Sequence, residues 1–163
     1  MLKIPKDQRR LYQTKFSFGA TAAIITNLAL ISGLDTLAHP KWSILGGILI
    51  IAVADNISDS VAVHIYQESE GINEGEAWLS TVTNFLARAF ISATFIILVA
   101  VLPITLAVSC SVIWGLALLA IMSYMIARGR KVNPFLAILE HMSIAITVIV
   151  ASHAVGRWII GRF

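Results

Sequence analysis

Long apolar blocks constrain this chain more than any other feature of its sequence. Of its 163 residues, 58% are hydrophobic and only 13% are charged, whereas an ordinary soluble protein has about 25% charged residues. The apolar residues form blocks of roughly 20, the length that a helix needs to cross a ~30 Å membrane core. We predict membrane spans at Phe16–Leu34, Trp42–Ile65, Val82–Leu102, Ile104–Ala127 and Pro134–Ile160. The predicted fold class is an all-α membrane protein, a bundle of five transmembrane helices.

Prolines and a glycine mark the connections between these spans. Pro40 and Pro103 disfavour helix in the residue before them, and Gly129 with Pro134 is expected to break the chain before the last span. A chain of this length leaves no room for a separate soluble domain, so residues 1–163 are predicted to form a single transmembrane domain.

The distribution of Lys and Arg predicts the orientation in the membrane. Most basic residues outside the spans lie in the segment 1–15 and in the connection before the last span: Lys3, Lys6, Arg9, Arg10, Lys15, Arg128, Arg130 and Lys131. The N-terminus is therefore predicted to be cytoplasmic and the C-terminus outside, in a multi-pass protein of a prokaryotic cytoplasmic membrane. The segment 1–15 is either a solvated basic tail or, over Ile4–Tyr12, a short helix on the membrane surface.

Two carboxylates interrupt the second apolar block. Asp55 and Asp59 are four residues apart, so they share one face of a helix. A charge inside a bilayer costs at least ~2.5–3.5 kcal/mol on insertion scales, so an ionisable residue within a span indicates function by default. Helical rise places Asp59, Arg88 and Glu140 at a similar depth. An Asp59–Arg88 or a Glu140–Arg88 ion pair could therefore form, and would relieve the cost of burial.

Oxygen-bearing side chains near these carboxylates could bind a hard or borderline divalent cation. The candidate ion-pathway residues are Asn27, Asp55, Asn56, Ser58, Asp59 and Glu140. Arg88 is expected to be a charge partner, because a guanidinium does not lose its proton. The same residues could instead form a structural network of a buried Asp–Arg pair and interhelical hydrogen bonds from Asn and Ser.

Acidic residues also gather between the second and third spans, where residues 66–80 are predicted to form an acidic cytoplasmic loop. The candidate cytoplasmic mouth consists of His64, Glu68, Glu70, Glu74 and Glu76. Such a mouth would attract cations. The alternative is an ordinary solvated loop, with His64 as an interfacial histidine.

Two further features bear on activity and partners. The chain has no His-Glu-x-x-His motif, no P-loop and no Gly-x-Ser-x-Gly elbow. We therefore predict that it is not an enzyme, holds no tightly bound cofactor and has no nucleic-acid partner. The first span carries small residues such as Gly19, Ala23 and Gly33, which allow close helix packing in lipid. A homodimer through this helix and packing within one chain both explain them.

The runs Gly19–Leu34 and Ile65–Glu70 read GATAAIITNLALISGL and IYQESE. They resemble the first helix and the end of the second helix of the vacuolar iron transporter (VIT) family, whose first helix begins Gly-Ala-Thr-Asp-Gly and ends Ala-Leu-x-x-Gly-Leu. The run Ile146–Ile160 is similar to the last helix of the family. The resemblance implies a five-helix homodimer that exports Fe2+ or Mn2+ from the cytoplasm in exchange for protons, with the pathway between the two subunits.

The chain also departs from the pattern of the family it resembles. Ala22 stands at the position of an aspartate in the family's first helix, Ile51 at that of a glutamate, and Asp59 at that of a methionine. An aspartate in place of a methionine makes the ligand set harder. The long cytoplasmic metal-binding region of the plant and yeast members is replaced here by the short acidic loop.

The predicted function is therefore transport of a divalent metal cation, Fe2+ or Mn2+ or a similar ion, as proton-coupled export from the cytoplasm. The alternative is a membrane protein that keeps the fold without transport and serves a structural or partner-binding role. In that case Asp59, Arg88 and Glu140 form a structural charge network.

Overall fold

A computed structural model of the protein describes the backbone of residues 6–162 and the side chains of residues 16–162. The described chain is helical apart from short connections, and all of its helices are long and apolar enough to span a membrane. Their bounds are α1 Lys6–Leu34, α2 Pro40–Ser69, α3 Glu74–Val101, α4 Ile104–Arg130 and α5 Pro134–Arg162. The prediction of an all-α, five-helix integral membrane protein is confirmed. Residues 1–5 of the predicted basic segment lie outside the described residues, and the rest of that segment continues directly into α1.

Three of the connections between the described helices are shorter than the sequence suggested, and the α3–α4 connection, residues 102–103, is one residue longer. Pro40 and Pro134 begin α2 and α5, and Pro103 lies directly before α4, as expected of a residue with no backbone N–H to leave unpaired. The prediction that Gly129 breaks the chain is wrong, because α4 continues to Arg130. The break comes at Lys131, which adopts the left-handed conformation with φ 57°.

The acidic segment between α2 and α3 is also shorter than predicted. The predicted loop 66–80 is wrong over most of its length, because α2 runs to Ser69 and α3 starts at Glu74. Only residues 70–73 remain as a turn, in which Gly71 has φ 70°. Asn73 caps α3 by accepting a hydrogen bond from the backbone N–H of Gly75, which satisfies one of the unpaired donors at a helix start.

Helix α1 occupies the centre of the bundle and packs against each of the other four helices. Its small residues make these approaches possible. A Cβ on Gly19 would lie 2.5 Å from Oδ1 of Asn84, and a Cβ on Gly33 would lie 3.3 Å from the carbonyl oxygen of Ser152. Packing within one chain therefore accounts for these glycines.

The contacts between helices establish their register. Gly19 lies against Asn84 and Asn27 lies against Ser92, so α1 and α3 run parallel with a constant offset. Asn84 contacts Ser60 on the neighbouring antiparallel helix α2. We call the end of the bundle with the α2–α3 turn the acidic end, and the end where α2 begins the opposite end.

Toward the opposite end, the interface of α1, α2 and α3 is apolar. Ile31, Ile44, Ile48, Phe95 and Val99 are all fully buried there and belong to one hydrophobic cluster. The Nζ of Lys41 donates to the carbonyl oxygens of Ala100 and Leu102, at 2.9 and 3.2 Å. These bonds satisfy carbonyl groups that a helix C-terminus leaves unpaired.

Candidate functional site

The charged residues of α2 and α3 meet near the middle of both helices. The Nη2 of Arg88 donates to Oδ2 of Asp55, and its Nε donates to Oδ1 of Asn56 at 2.9 Å. Its Nη1 lies 2.6 Å from Oδ2 of Asp59, an ion-pair contact whose angles fall outside hydrogen-bond geometry. The guanidinium of Arg88 thus contacts three polar side chains of α2. We call Asp55, Asn56, Asp59 and Arg88 the Asp–Arg cluster.

The members of this cluster differ in burial. The Arg88 side chain is 1% exposed, whereas those of Asp55 and Asp59 are 40% and 41% exposed. Asn56 is fully buried. The guanidinium is therefore enclosed between α2 and α3, while both carboxylates remain reachable from outside the chain. Since Arg88 contacts Oδ2 of each carboxylate, both keep Oδ1 for a further ligand.

Charge balance gives the cluster its electrostatic character. Two carboxylates and one guanidinium leave one negative charge uncompensated when all three groups are ionised. In a low-dielectric surrounding such a charge attracts a cation much more strongly than it would in water. The predicted Asp59–Arg88 pair is present. The alternative Glu140–Arg88 pair is not formed in the described residues, because Arg88 turns to α2 and Glu140 lies exposed on α5.

Toward both ends of the bundle from the Asp–Arg cluster, polar side chains continue along α3 at every fourth residue. Asn84 donates from Nδ2 to Oγ of Ser60 at 3.2 Å, one turn before Arg88. One turn after it, Ser92 accepts a hydrogen bond of 3.1 Å from Nδ2 of Asn27. We call this set the polar ladder: Ser80, Asn84, Arg88 and Ser92 on α3, Ser60 and Asn56 on α2, and Asn27 on α1.

Several predicted pathway residues lie elsewhere than expected. Asn27 was expected near the two aspartates, but its amide bonds to Ser92 and to the carbonyl oxygen of Ala23, at 3.1 and 2.8 Å. Ser58 lies on the exposed surface of α2, and Glu140 on that of α5. Of the predicted set, the structure thus joins Asp55, Asn56 and Asp59 around Arg88 and leaves the others apart.

The predicted mouth is only partly assembled. The Nε2 of His64 lies 3.3 Å from Oε1 of Glu68, and its Nδ1 lies 3.1 Å from Oγ1 of Thr81. The imidazole also packs against Trp78, with ring centroids 4.5 Å apart. Glu70 and the two acids of the first turn of α3, Glu74 and Glu76, are exposed. Negative charge at a helix start is favoured by the helix dipole, which gives these two glutamates a structural role as well.

A shallow depression opens between α2 and α3 near this end. It has a volume of about 200 Å³ and is lined by Ile57, Ser60, Val61, Thr81, Val82 and Phe85. Its walls are mainly apolar, and neither aspartate of the cluster lines it. The depression brings the outer surface close to the ladder at Ser60.

Metal-ligating side chains do not form a larger group in the part of the chain that is described. Across residues 16–162, whose side chains are described, no three His, Cys, Asp or Glu side chains come together in an arrangement that could hold a metal ion. The two aspartates of the Asp–Arg cluster are therefore a pair of carboxylates rather than a complete ligand set.

Sequence reasoning missed the neutral members of the ladder. Ser60, Asn84 and Ser92 were not predicted as site residues, although all are buried and hydrogen-bonded across helices. Their signal was the four-residue spacing of Ser80, Asn84, Arg88 and Ser92 within an apolar span, which puts them on one helical face.

Comparison with known proteins adds no relative. The chain matches no protein-family model, no curated protein and no solved structure. The resemblance to the VIT family therefore stays a prediction, carried by the residues of the first two spans.

Proposed function

We propose that the protein transports a divalent metal cation across a membrane and that Asp55 and Asp59 bind the ion. The observation that carries this proposal is the uneven burial of the Asp–Arg cluster. Arg88 is enclosed, while both carboxylates are about two-fifths exposed and together exceed its charge by one. A group built only to neutralise a buried arginine would need one carboxylate, and it would gain nothing from exposing two.

The chemistry of the pair suits a hard or borderline cation. Carboxylate oxygens are preferred ligands of Mg2+, Ca2+ and Mn2+ and are also used by Fe2+. Since the pair alone does not complete a ligand set, water or a second chain would supply the remaining ligands. Carboxylates also exchange a metal ion for protons, which supports proton-coupled export. The choice of Fe2+ or Mn2+ and the outward direction rest on the VIT resemblance.

The proposal includes a homodimer. Two half-exposed carboxylates in an apolar span would be costly against lipid, and a second copy beside α2 would shield them. Helix α1 was the predicted dimer contact, but it is the most enclosed helix of the bundle, whereas α2 presents more free surface. We therefore favour α2 as the dimer contact. The Lys and Arg distribution supports placing the acidic end in the cytoplasm, and the proposed location is a prokaryotic cytoplasmic membrane.

Metal uptake into proteoliposomes tests the proposal. Purified protein is reconstituted into liposomes that enclose a metal-sensitive dye, and Mn2+, Fe2+, Mg2+ and Ca2+ are added to the outside solution in turn. We expect uptake of at least one ion, and we expect Asp59→Asn to abolish it because one carboxylate then only balances Arg88. Asp35→Asn is the matched control: it also removes a carboxylate, but at the opposite end, where Asp35 contacts His153. Unchanged uptake by Asp59→Asn would contradict the proposal.

The second candidate is a structural or partner-binding protein without transport. It is favoured by the enclosure of Arg88, whose contacts join α2 to α3 along one face. In that case no divalent metal raises the melting temperature in detergent, and Asp59→Asn or Arg88→Gln alone lowers it. The double variant would then regain part of the loss. A metal-dependent rise in the melting temperature that Asp59→Asn removes would instead favour transport.

A further inference from the structure

Three buried asparagines, one on each of α1, α2 and α3, keep a polar atom without a hydrogen-bond partner. These atoms are Oδ1 of Asn27, Nδ2 of Asn56 and Oδ1 of Asn84, which find no partner among the described residues. The residues themselves are at most 1% exposed. A buried polar group left unpaired costs about 1–3 kcal/mol, so three at successive levels of one interface call for a ligand.

Rotating each side-chain amide by 180°, which exchanges its N and O atoms, does not remove the unpaired atoms. The Nδ2 of Asn27 donates to the carbonyl oxygen of Ala23, and Oδ1 of Asn56 accepts from Arg88, so both orientations are set by their partners. Asn84 could be reversed against the Ser60 hydroxyl, but its Nδ2 would then be the unpaired atom. Each level thus retains one unsatisfied donor or acceptor in either orientation.

The levels form a continuous series along the bundle. The ladder positions from Ser80 to Ser92 span about 18 Å at the helical rise of 1.5 Å per residue. Beside Asn84, Gly19 has no side chain, and a Cβ there would come 2.5 Å from the unpaired Oδ1. A side chain at position 19 would therefore crowd this unpaired atom.

The two ends of this series differ. At the acidic end it begins beside His64 and Thr81, next to the exposed Glu68 and the depression at Ser60. Beyond Ser92 the same interface is closed by Ile48, Phe95 and Val99, which are fully buried. Of the two ends of the polar series, only the acidic end therefore reaches the surface, while midway along the series the carboxylates that contact Arg88 are also exposed.

We propose that the polar ladder binds a chain of internal water molecules, open to the acidic end and closed toward the opposite end by the apolar cluster. Internal water commonly makes about three hydrogen bonds to otherwise unsatisfied buried groups. Here it bridges the three amides and gives solvent protons access to the buried side of the Asp–Arg cluster. The hydration belongs to the bundle whether or not the protein transports a metal.

Cysteine reactivity along α3 and α2 tests this proposal. Ser80→Cys, Ser60→Cys and Ser92→Cys each replace a buried ladder hydroxyl by a thiol of similar size, in a Cys110→Ser background that removes the native free thiol. The folded variants in detergent are treated with methyl methanethiosulfonate. Because only the thiolate reacts and it forms only in contact with water, the reaction rate reports hydration.

Val99→Cys is the matched control on the same helix, since Val99 is equally buried but lies within the apolar cluster. We expect rates that fall from Ser80→Cys to Ser92→Cys, with every ladder variant at least ~10-fold faster than Val99→Cys. Ladder thiols as slow as that of Val99→Cys would overturn the proposal. A Val99→Cys thiol as fast as the ladder would overturn the one-sided closure. If one serine variant fails to fold, the other two are read against the same control.

Discussion

The two halves of the α1–α2–α3 interface are held together by different interactions. Near the acidic end and the centre, contacts are made by Ser60, Asn84 and the Asp–Arg cluster, and several polar atoms stay unpaired. Toward the opposite end, Ile44, Ile48 and Phe95 pack without any polar atom. Polar contacts depend on each partner being present, whereas apolar packing depends mainly on volume. The polar half therefore depends on each of its hydrogen-bond and charge partners, and the apolar half on close packing.

Replacing Arg88, in the polar half of the interface, should lower the free energy of unfolding most. Arg88→Leu leaves two carboxylates and the Oδ1 of Asn56 without their partner, so we expect the free energy of unfolding to fall by about 3–5 kcal/mol. Unfolding in mixed micelles, followed by circular dichroism, measures the change. Adding Asp55→Asn and Asp59→Asn should recover part of the loss because no uncompensated charge remains. Equal stability of Arg88→Leu and the unaltered protein would mean that the cluster does not hold α2 to α3.

A methyl group added at Gly19, where α1 closely approaches α3, should lower the free energy of unfolding by a smaller amount. In Gly19→Ala the new Cβ would lie 2.5 Å from Oδ1 and 2.9 Å from the backbone oxygen of Asn84, so we expect a loss of about 1–3 kcal/mol from overpacking. Gly46→Ala is the control, because its Cβ meets nothing within 4 Å and alanine is the better helix former. A loss in both variants would point to a general effect of glycine replacement rather than to this approach.

Substitutions in the apolar half of the interface should change the free energy of unfolding least. Ile48→Val removes one methylene from the closed cluster, and we expect a loss of about 0.5–1.5 kcal/mol. Ile50→Val, at a position 68% exposed on the same helix, should change the free energy of unfolding by less than about 0.5 kcal/mol. If Ile48→Val also speeds the thiol reaction of the Ser92→Cys variant, the apolar cluster around Ile48 is what excludes water from the Ser92 end of the polar ladder. A large loss at both isoleucines would show that α2 is enclosed by a further contact on its exposed side.

Much of the fold could be predicted because apolar length decides which segments can cross a membrane. The spans, the prolines at the helix starts and the Asp59–Arg88 pair follow from local composition and helical rise. The errors lie where local signals compete: Gly129 remains helical, and Glu68, Glu74 and Glu76 extend helices rather than a loop. Charged residues can continue a helix beyond an apolar span, so a change in hydropathy does not mark the helix end.

The candidate site was predictable only in part, because depth along a helix does not give direction around it. Asp59, Arg88 and Glu140 were expected together, but only Asp59 faces Arg88. Asn27 is directed to Ser92 rather than Asp55. Which side chains face one another depends on how each helix is rotated in the bundle, and neighbouring helices set that rotation.

By itself, the sequence determined that this chain is a five-helix membrane protein with costly charges in its second and third spans. Hydrophobicity acts on each segment independently, so composition was enough. Only the tertiary structure decided that Arg88 is enclosed by α2 while Asp55 and Asp59 stay reachable, and that neutral Asn and Ser side chains extend the polar contact along α3. Those features arise from packing between helices distant in sequence, where burial and partner geometry are set jointly.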